Sequence, residues 1–420
     1  MTQISSGDTA WVLASAALVM FMTPGLAFFY GGLVRAKNVL GTIMYSFGAL
    51  AVVTVLWVLL GHTLAFGPDA GGIIGTLKYV GFNHVGASPL KDLAPTIPHS
   101  AFAIYQMMFA VITPALISGV FAERMKFSGY LLFVALWSLV VYAPIAHWVW
   151  GLGFLGPRGL GALDFAGGTV VHISAGASGL AAALVLGRRK GWPHESMSPH
   201  NVPFVVLGAS ILWFGWFGFN AGSALSSGGL ASGAFTATHL AAAAAVFGWI
   251  VPEWIMRKRA TTVGAVTGAV AGLVAITPAS GFVRPWAALV IGFAAGAVCY
   301  FAVGLKHRLG YDDALDVVGV HFVGGVVGAL LTGVFASLAA NPAGADGLLY
   351  SGSLDQLAKQ AAAILITIAW SFPVSFGVLK LADAVVGLRV SEEDESIGLD
   401  LTQHGEAGYA FADHGASMSA

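Results

Sequence analysis

AWVLASAALVMFMTPGLAFFYGGL, residues 10–33, contains no charged side chain. It is longer than the roughly 20 apolar residues a helix needs to cross a bilayer. Strands of a membrane barrel alternate apolar and polar positions over about ten residues, and this run does not. Within hydrocarbon every backbone N–H must find its partner inside the segment. The run therefore reads as a transmembrane helix.

The same pattern recurs along the 420-residue chain, which is 57% hydrophobic and 9% charged, with a mean hydropathy of +0.82. Soluble domains carry about 25% charged residues. The 19 basic and 20 acidic side chains here cannot cover a water-facing surface. Fifty-six glycines and frequent alanines let helices approach closely and leave room for a narrow path between them. The single cysteine, Cys299, offers neither a disulfide nor a thiolate metal set. Net charge is near zero, and no basic domain suggests nucleic acid.

Apolar segments at about 10–33, 39–66, 98–122, 127–150, 167–187, 200–219, 232–254, 261–278, 285–305, 314–340 and 359–387 predict an all-α polytopic membrane protein of eleven transmembrane helices. The basic residues test the count. If every span crosses, one side receives Arg35, Lys37, Arg124, Lys126, Arg188, Arg189, Lys190, Arg257, Lys258, Arg259, Lys306, Arg308, Lys380 and Arg389. Only Lys78, Lys91, Arg158, Arg284 and Lys359 fall on the other. The positive-inside rule then puts the amino end outside and the carboxyl end in the cytoplasm. The start, MTQISSGDTAW, lacks a basic n-region and the first run lacks an A-x-A-like cleavage site. It reads as a retained span rather than a signal peptide. Residues 1–387 are expected to form the membrane domain and 388–420 a cytoplasmic tail. That tail contains SEEDESIGLDLTQHGE, acidic but with an apolar pair, Ile397 and Leu399. It reads as a solubilising segment or a docking one.

Features repeat in order. AFFYGG (27–32) is matched by GFNAGS (218–223), VITPAL (111–116) by AITPAS (275–280), and His172 by His321. Asp164 and Asp313 each stand eight residues before their histidine. This predicts two five-helix repeats, about 10–187 and 200–340, plus a final helix at about 359–387. Five spans is an odd number, so the halves would lie in opposite orientation, with the pathway at their interface.

VVHISAGASG (170–179) and VGVHFVGGVVG (318–328) each set one histidine in an apolar run. A neutral imidazole is one donor and one acceptor, and burying it unpaired is costly. Each ring either satisfies a backbone carbonyl or hydroxyl across a helix interface, or meets the other as a coupled pair lining a path. Ser174, Ala175 and Gly176 would let the two helices meet. Without a cysteine set, an H-E-x-x-H motif or a third histidine in these two spans, zinc is not expected. Asp164 begins a span, where a carboxylate caps the helix and also adds negative field to a pore mouth. Asp316 is placed in the tenth span, with Asp312 and Asp313 toward a cytoplasmic vestibule. Phe109, Trp150 and Phe219 are either interfacial anchors or faces that attract a cation, with the Ser223 hydroxyl as an added acceptor. Further in, stacked phenyl rings would make a dry constriction. No P-loop accompanies the glycine runs, so ATP-driven transport is unsupported.

FFYGGLVRAKNVL (28–40), DFAGGTVVHISAG (164–176), GWFGFNAGS (215–223), DDALDVVGVH (312–321) and GLDLTQHGE (398–406) together resemble the ammonium transporter family of bacterial Amt, fungal Mep and animal Rh proteins, in particular the bacterial Amt branch. The resemblance implies a homotrimer in the bacterial cytoplasmic membrane, each protomer with its own narrow hydrophobic pore. The substrate would be ammonium, with methylammonium as an analogue. Phe109, Trp150, Phe219 and Ser223 resemble the family's external ammonium site, Phe109 and Phe219 its phenyl gate, His172 and His321 its paired pore histidines, and Asp164 its carboxylate near the outer site. The tail resembles a contact for a trimeric PII-type regulator. No cofactor and no enzymatic activity are implied. One departure is Phe322, where bacterial members often carry glycine; it would either narrow the path or face a neighbouring helix.

Moving bare ammonium through an apolar tube costs on the order of tens of kcal/mol in the Born limit. The expected route is deprotonation near the outer site, passage of ammonia beside the histidines, and separate transfer of the proton. A potassium channel would need a filter of repeated carbonyls, which is absent. An ammonium sensor would use the same pore. A membrane enzyme would need more reactive groups, and a scaffold leaves the ordered polar positions without a use.

Overall fold

In the computed structural model, which describes residues 4–409, Ser5 starts the first helix by accepting a hydrogen bond from the Asp8 N–H at 3.2 Å. Helix α1, Ser6–Leu33, is followed by α2 (Ala36–Phe66), α3 (His99–Phe121), α4 (Phe127–Val149), α5 (Gly168–Leu186), α6 (Val202–Ala224) and α7 (Gly229–Arg257). After the shorter α8 (Thr262–Ile276) come α9 (Pro285–Leu309), α10 (Val318–Phe335) and α11 (Asp355–Val386). Among the described residues, all but α8 are long and apolar enough to cross a membrane. Each lies on one of the eleven expected segments.

The two Thr-Pro motifs share a local bond but end differently. In both, threonine bonds back to the carbonyl four residues earlier, Thr113 to Phe109 at 2.6 Å and Thr277 to Leu273 at 2.8 Å. Helix α3 continues past Pro114 to Phe121. After Thr277 the chain instead turns, and the Pro278 carbonyl is taken by the Phe165 N–H at 3.1 Å.

Helix α3 is the innermost, with 94% of its most apolar stretch buried, against 33% for α2. Polar residues join the helices. Trp137 on α4 donates to Ser178 on α5 and Ser375 on α11 at 2.9 and 3.0 Å. Gln360 on α11 clamps the Leu163 backbone, donating to its carbonyl at 2.7 Å and accepting from its N–H at 2.6 Å.

One end of the bundle holds the amino terminus and the 67–98 connection, joined by the Ser5 N–H to the Thr96 carbonyl at 2.8 Å. This amino face carries two short antiparallel hairpins, Asp69–Ala70 with Ile74–Gly75 and Pro89–Leu90 with Ala94–Pro98. The opposite, tail face carries two short helices, α12 (Glu392–Ile397) and α13 (Leu399–His404). Both are docked. The Leu399 N–H donates to Asn38 Oδ1 and the Gly41 N–H to Asp400 Oδ1, each at 2.8 Å. Of the apolar pair, Leu399 is buried and Ile397 is 47% exposed. The last part of the expected tail, 410–420, lies outside the described residues.

The tenth span begins at Val318 rather than 314. Asp316 has φ +63°, a left-handed conformation that no α-helix accommodates. It precedes α10 instead of lying in it, and its carboxylate binds Lys306 Nζ at 2.7 Å.

Candidate functional site

Helix α5 opens in a wide π-helical turn, Gly168–Ile173, and α10 in another, Val318–Phe322. Such turns rearrange backbone bonds and recur at functional sites. Each carries one histidine, and both rings are buried, with His172 Nδ1 3.3 Å from His321 Nδ1. The rings are 26° from parallel. One shared proton satisfies both Nδ1 atoms, so one ring must present Nε2 as an acceptor and the other Nε2–H as a donor. His172 Nε2 has no hydrogen-bond partner. Trp216 stacks on the His172 ring at 5.6 Å and 23°.

Close approach at two glycines permits the meeting. A Cβ at Gly176 would collide with Phe322, and one at Gly325 would lie 3.0 Å from Ile173 Cγ1 and 3.1 Å from His172 Cβ. Residue 322 thus occupies on α10 the position of Ile173 on α5. Phe322 packs with Ile173, Val326, Ile364 and Ile368, toward α11. It does not line the cavity beside the histidines.

That cavity measures about 10 Å³ and is walled by Leu26, Ile112, Leu116, Trp216, Phe219 and the two histidines, among others. It is about the room needed to hold one water-sized molecule. Above it, toward the amino face, lies a vestibule of about 260 Å³ that includes Phe109, Trp150, Asp164 and Ser223. Phe109 lines the vestibule and Phe219 the cavity. Their rings, 4.3 Å apart between centroids, form the partition. They are inclined by 46° rather than stacked flat.

The vestibule is assembled around Asp164. Its carboxylate accepts the N–H groups of Gly167, Gly168, Thr169 and Val170 at 2.6–3.2 Å, and the Thr169 hydroxyl. This satisfies the first turn of α5, whose N–H groups have no intrahelical acceptors. The Asp164 carbonyl accepts Trp150 Nε1–H at 2.9 Å, which leaves the indole face free. Trp150 stands edge-on to Phe109 at 5.8 Å. Ser223 Oγ donates to the Phe219 carbonyl at 2.8 Å. Tyr105 OH donates to the Gly218 and Phe219 carbonyls at 2.9 Å. With their protons so used, Ser223 Oγ keeps lone pairs for a donor. The lining includes Asp92 and Asp164 but no lysine or arginine.

The tail side is built differently. Asp313 accepts the Val317 and Val318 N–H groups at 3.1 and 2.7 Å, capping α10. Asp312 takes a two-pronged bond from Arg189, Nε to Oδ2 and Nη2 to Oδ1, both at 2.9 Å. Arg189 Nη1 also donates to Glu123 Oε2 at 3.0 Å, while Glu123 Oε1 accepts from Arg35 Nε at 3.0 Å and Asn38 Nδ2 at 2.9 Å. Asn38 in turn holds Leu399 of the tail. Burial alone would raise the Glu123 and Asp312 carboxyls, but the neighbouring guanidiniums hold both below their ordinary values. Burial raises Asp313 to about 6. Asp312 and Asp313 are buried and do not line an open vestibule as expected; only Asp316 reaches a cleft.

The structure therefore brings together His172 with His321, and Phe109, Trp150, Asp164 and Ser223 in one vestibule, with Phe219 at its floor. Sequence reasoning missed Trp216, Tyr105 and Thr169. It counted Arg189 only as a topological charge. A second histidine pair, His62 and His99 with Nε2 atoms 2.8 Å apart, also went unread; neither lines the cavity. Among the described residues no group of three or more His, Cys, Asp and Glu side chains is placed to hold a metal ion.

The model of the Ammonium Transporter Family matches residues 10–409. The chain is 54% identical over 404 residues to an ammonium transporter of Bacillus subtilis (strain 168), covering 96% of this chain and 98% of that one. The crystal structure of Candida albicans Mep2 superposes with a TM-score of 0.88 at 36% identity, covering 96% of this chain and 90% of the other. A structure described as a sensor Amt protein superposes at 0.86 and 31% identity, covering 95% and 98%.

Proposed function

The chain belongs to the ammonium transporter family, Amt/Mep/Rh, and transports ammonium or ammonia across a membrane; on that premise we propose that ammonium is bound and deprotonated at the vestibule and that ammonia passes the histidine pair. The carrying observation is the contrast in room. A vestibule of about 260 Å³ stands over a cavity of about 10 Å³, with two phenyl rings between. The cavity suits one small neutral molecule and has no space for a hydration shell.

In this reading the amino face is external. Asp164 attracts the cation, the faces of Phe109, Trp150 and Phe219 replace part of its hydration, and Ser223 Oγ accepts one of its protons. Ammonia crosses as a neutral molecule, donating to one histidine Nε2 and accepting from the other. The proton follows separately, so uptake carries net charge. Potassium fails because it has no proton to release.

The membrane unit is residues 1–387, with two inverted five-helix repeats; the matched Asp–His spacing and π-turns support that division. Identity to the Bacillus subtilis relative supports a bacterial Amt-type protein in the cytoplasmic membrane, amino end outside and carboxyl end inside. Exposed Phe247, Leu289 and Phe293 on α7 and α9 supply an apolar face for a homotrimer. The GLDLTQHGE resemblance supports a PII-type regulator at the tail face. A sensing role is the second reading, favoured by the likeness to the sensor Amt structure.

Electrical recording on purified protein in liposomes tests the mechanism, under ammonium, methylammonium and potassium gradients at several pH values. An ammonium-specific current is expected. Ammonia flux without current would overturn the charge-carrying step, and no flux would favour sensing.

A further inference from the structure

One histidine outside the cavity spends both of its ring nitrogens. His147 lies in the last turn of α4, shortly before Trp150, and is fully buried. Its Nδ1 stands 2.9 Å from the Ala65 carbonyl at the end of α2, and its Nε2 stands 2.9 Å from Asp69 Oδ1 on the first hairpin. A carbonyl and a carboxylate can only accept, and a neutral imidazole has a single N–H. An imidazolium, with a proton on each nitrogen, satisfies both. The His147 ring in turn holds the Asp69 carboxyl below its ordinary value. Asp69 is the ion-pair partner of His147 among the described residues, so the two together add no net charge beside a cation site.

These bonds hold two walls of the vestibule. Ala65 precedes Phe66, which lines the vestibule together with Trp150 and Leu152. The His147 carbonyl accepts the Gly151 and Gly153 N–H groups, each at 3.0 Å, and so turns the chain just past Trp150. The turn leaves no room for a side chain: a Cβ at Gly151 would collide with the Ala65 carbonyl oxygen and lie 2.7 Å from His147 Nδ1. Asp69 Oδ1 also accepts the Gly72 N–H at 2.8 Å, and Trp148 Nε1–H donates to the Ile73 carbonyl at 2.7 Å. One ring thus joins the end of α2, the hairpin and the end of α4.

We propose that His147 is a positioning residue for ammonium binding, held as an imidazolium between Ala65 and Asp69 so that Phe66 and Trp150 keep their places around the vestibule. This rests on the vestibule being the ammonium site. Charge-assisted hydrogen bonds are roughly twice as strong as neutral ones. Without the Asp69 carboxylate the ring keeps one proton and one acceptor, and the hairpin is no longer tied to it.

The test uses purified full-length protein in liposomes. D69A is the first variant, because the Asp69 side chain is 37% exposed and its removal strands no buried carboxylate. The half-saturating ammonium concentration for uptake is expected to rise about fivefold, the worth of one hydrogen bond, with little change in maximal rate. D69E returns the carboxylate and should recover most of the affinity. Solid-state NMR of nitrogen-labelled histidine, at the pH of the uptake assay, should show one histidine protonated on both ring nitrogens in the parent and in D69E but not in D69A. A parent lacking that signal would overturn the imidazolium, and D69E behaving as D69A would overturn the part given to the carboxylate. A lower maximal rate in D69A at unchanged half-saturation would point to folding and sink the positioning role. Ser223→Ala, measured alongside, separates the two readings. A rise there with none in D69A overturns the role of His147 alone; no rise in either overturns the vestibule with it.

Discussion

Helices α5 and α10 open alike and finish in different surroundings. Each follows an aspartate that stands eight residues before a histidine, caps the helix and leads into a π-turn. Asp164 is held by backbone N–H groups and one hydroxyl in a vestibule lined by no basic side chain. Asp313 is buried beside Lys306, and its neighbour Asp312 is locked by Arg189 into a network that reaches the tail. One local motif thus serves two ends. At the amino face its negative charge stays available to a cation. At the tail face charge is matched internally, which ties this end to the docked tail.

The largest test of that contrast is on the tail side. Arg189→Ala strips both buried carboxylates of one guanidinium, leaving Glu123 to Arg35 and Asp312 to Arg124 at 3.9 Å, at a cost of about 3 kcal/mol. Faster hydrogen exchange in residues 391–405 and a lower unfolding midpoint are expected. Acid should act in the same direction. Glu123 and Asp312 are held below their ordinary values, so their stabilisation is complete above the unfolded-chain values and is lost as pH falls through the depressed ones. Asp313 is raised to about 6 and works oppositely, losing its favourable contribution as pH rises through that value. Exchange in the tail at neutral and acid pH reads the first effect directly; a tail equally protected at both would break the proposed link.

At the histidines, where the two motifs meet, H172A/H321A removes both polar groups that line the proposed route of ammonia through the cavity. Losing about 2 kcal/mol or more of solvation there predicts a fall in ammonium-specific current of roughly 30-fold or more. Unchanged current and selectivity at normal expression would sink the role given to the pair.

The two aspartates compare directly by thermal unfolding. Asp164→Ala strands four N–H groups and should cost about 3 kcal/mol, and Asp313→Ala, with two, about 1–2 kcal/mol. Equal costs would erase the asymmetry. Ser223→Ala removes one acceptor, worth about 1 kcal/mol, and should raise the half-saturating ammonium concentration about fivefold with little change in maximal rate. The smallest effect is expected at Phe322→Leu. It loses about 1 kcal/mol of packing against α11, with ammonium flux unaltered; a change in selectivity would return Phe322 to the path.

Much of the site was legible because His172, His321, Asp164, Phe109, Trp150, Phe219 and Ser223 sit in short local motifs that keep their meaning out of context. Trp216 and Tyr105 were not. A Trp or Tyr in an apolar span has many uses, and only the neighbouring helix decides which. Arg189 was read as a mark of sidedness, since its partners Glu123 and Asp312 are 66 and 123 residues away. Asp316 was misplaced because the left-handed turn that ejects it from α10 leaves no local signature.

Hydropathy determined the ten long apolar helices and the shorter α8, since hydrocarbon demands long uncharged helices whatever they pack against. The spacing of charges favoured one orientation, and the paired motifs marked both histidines. The tertiary structure decided the rest. Gly176 and Gly325 bring α5 and α10 close enough for a 3.3 Å contact between rings, and Phe322 turns toward α11. The cavity beside the histidines measures about 10 Å³, because its width is set by atoms from several helices at once, and no single segment contains that information.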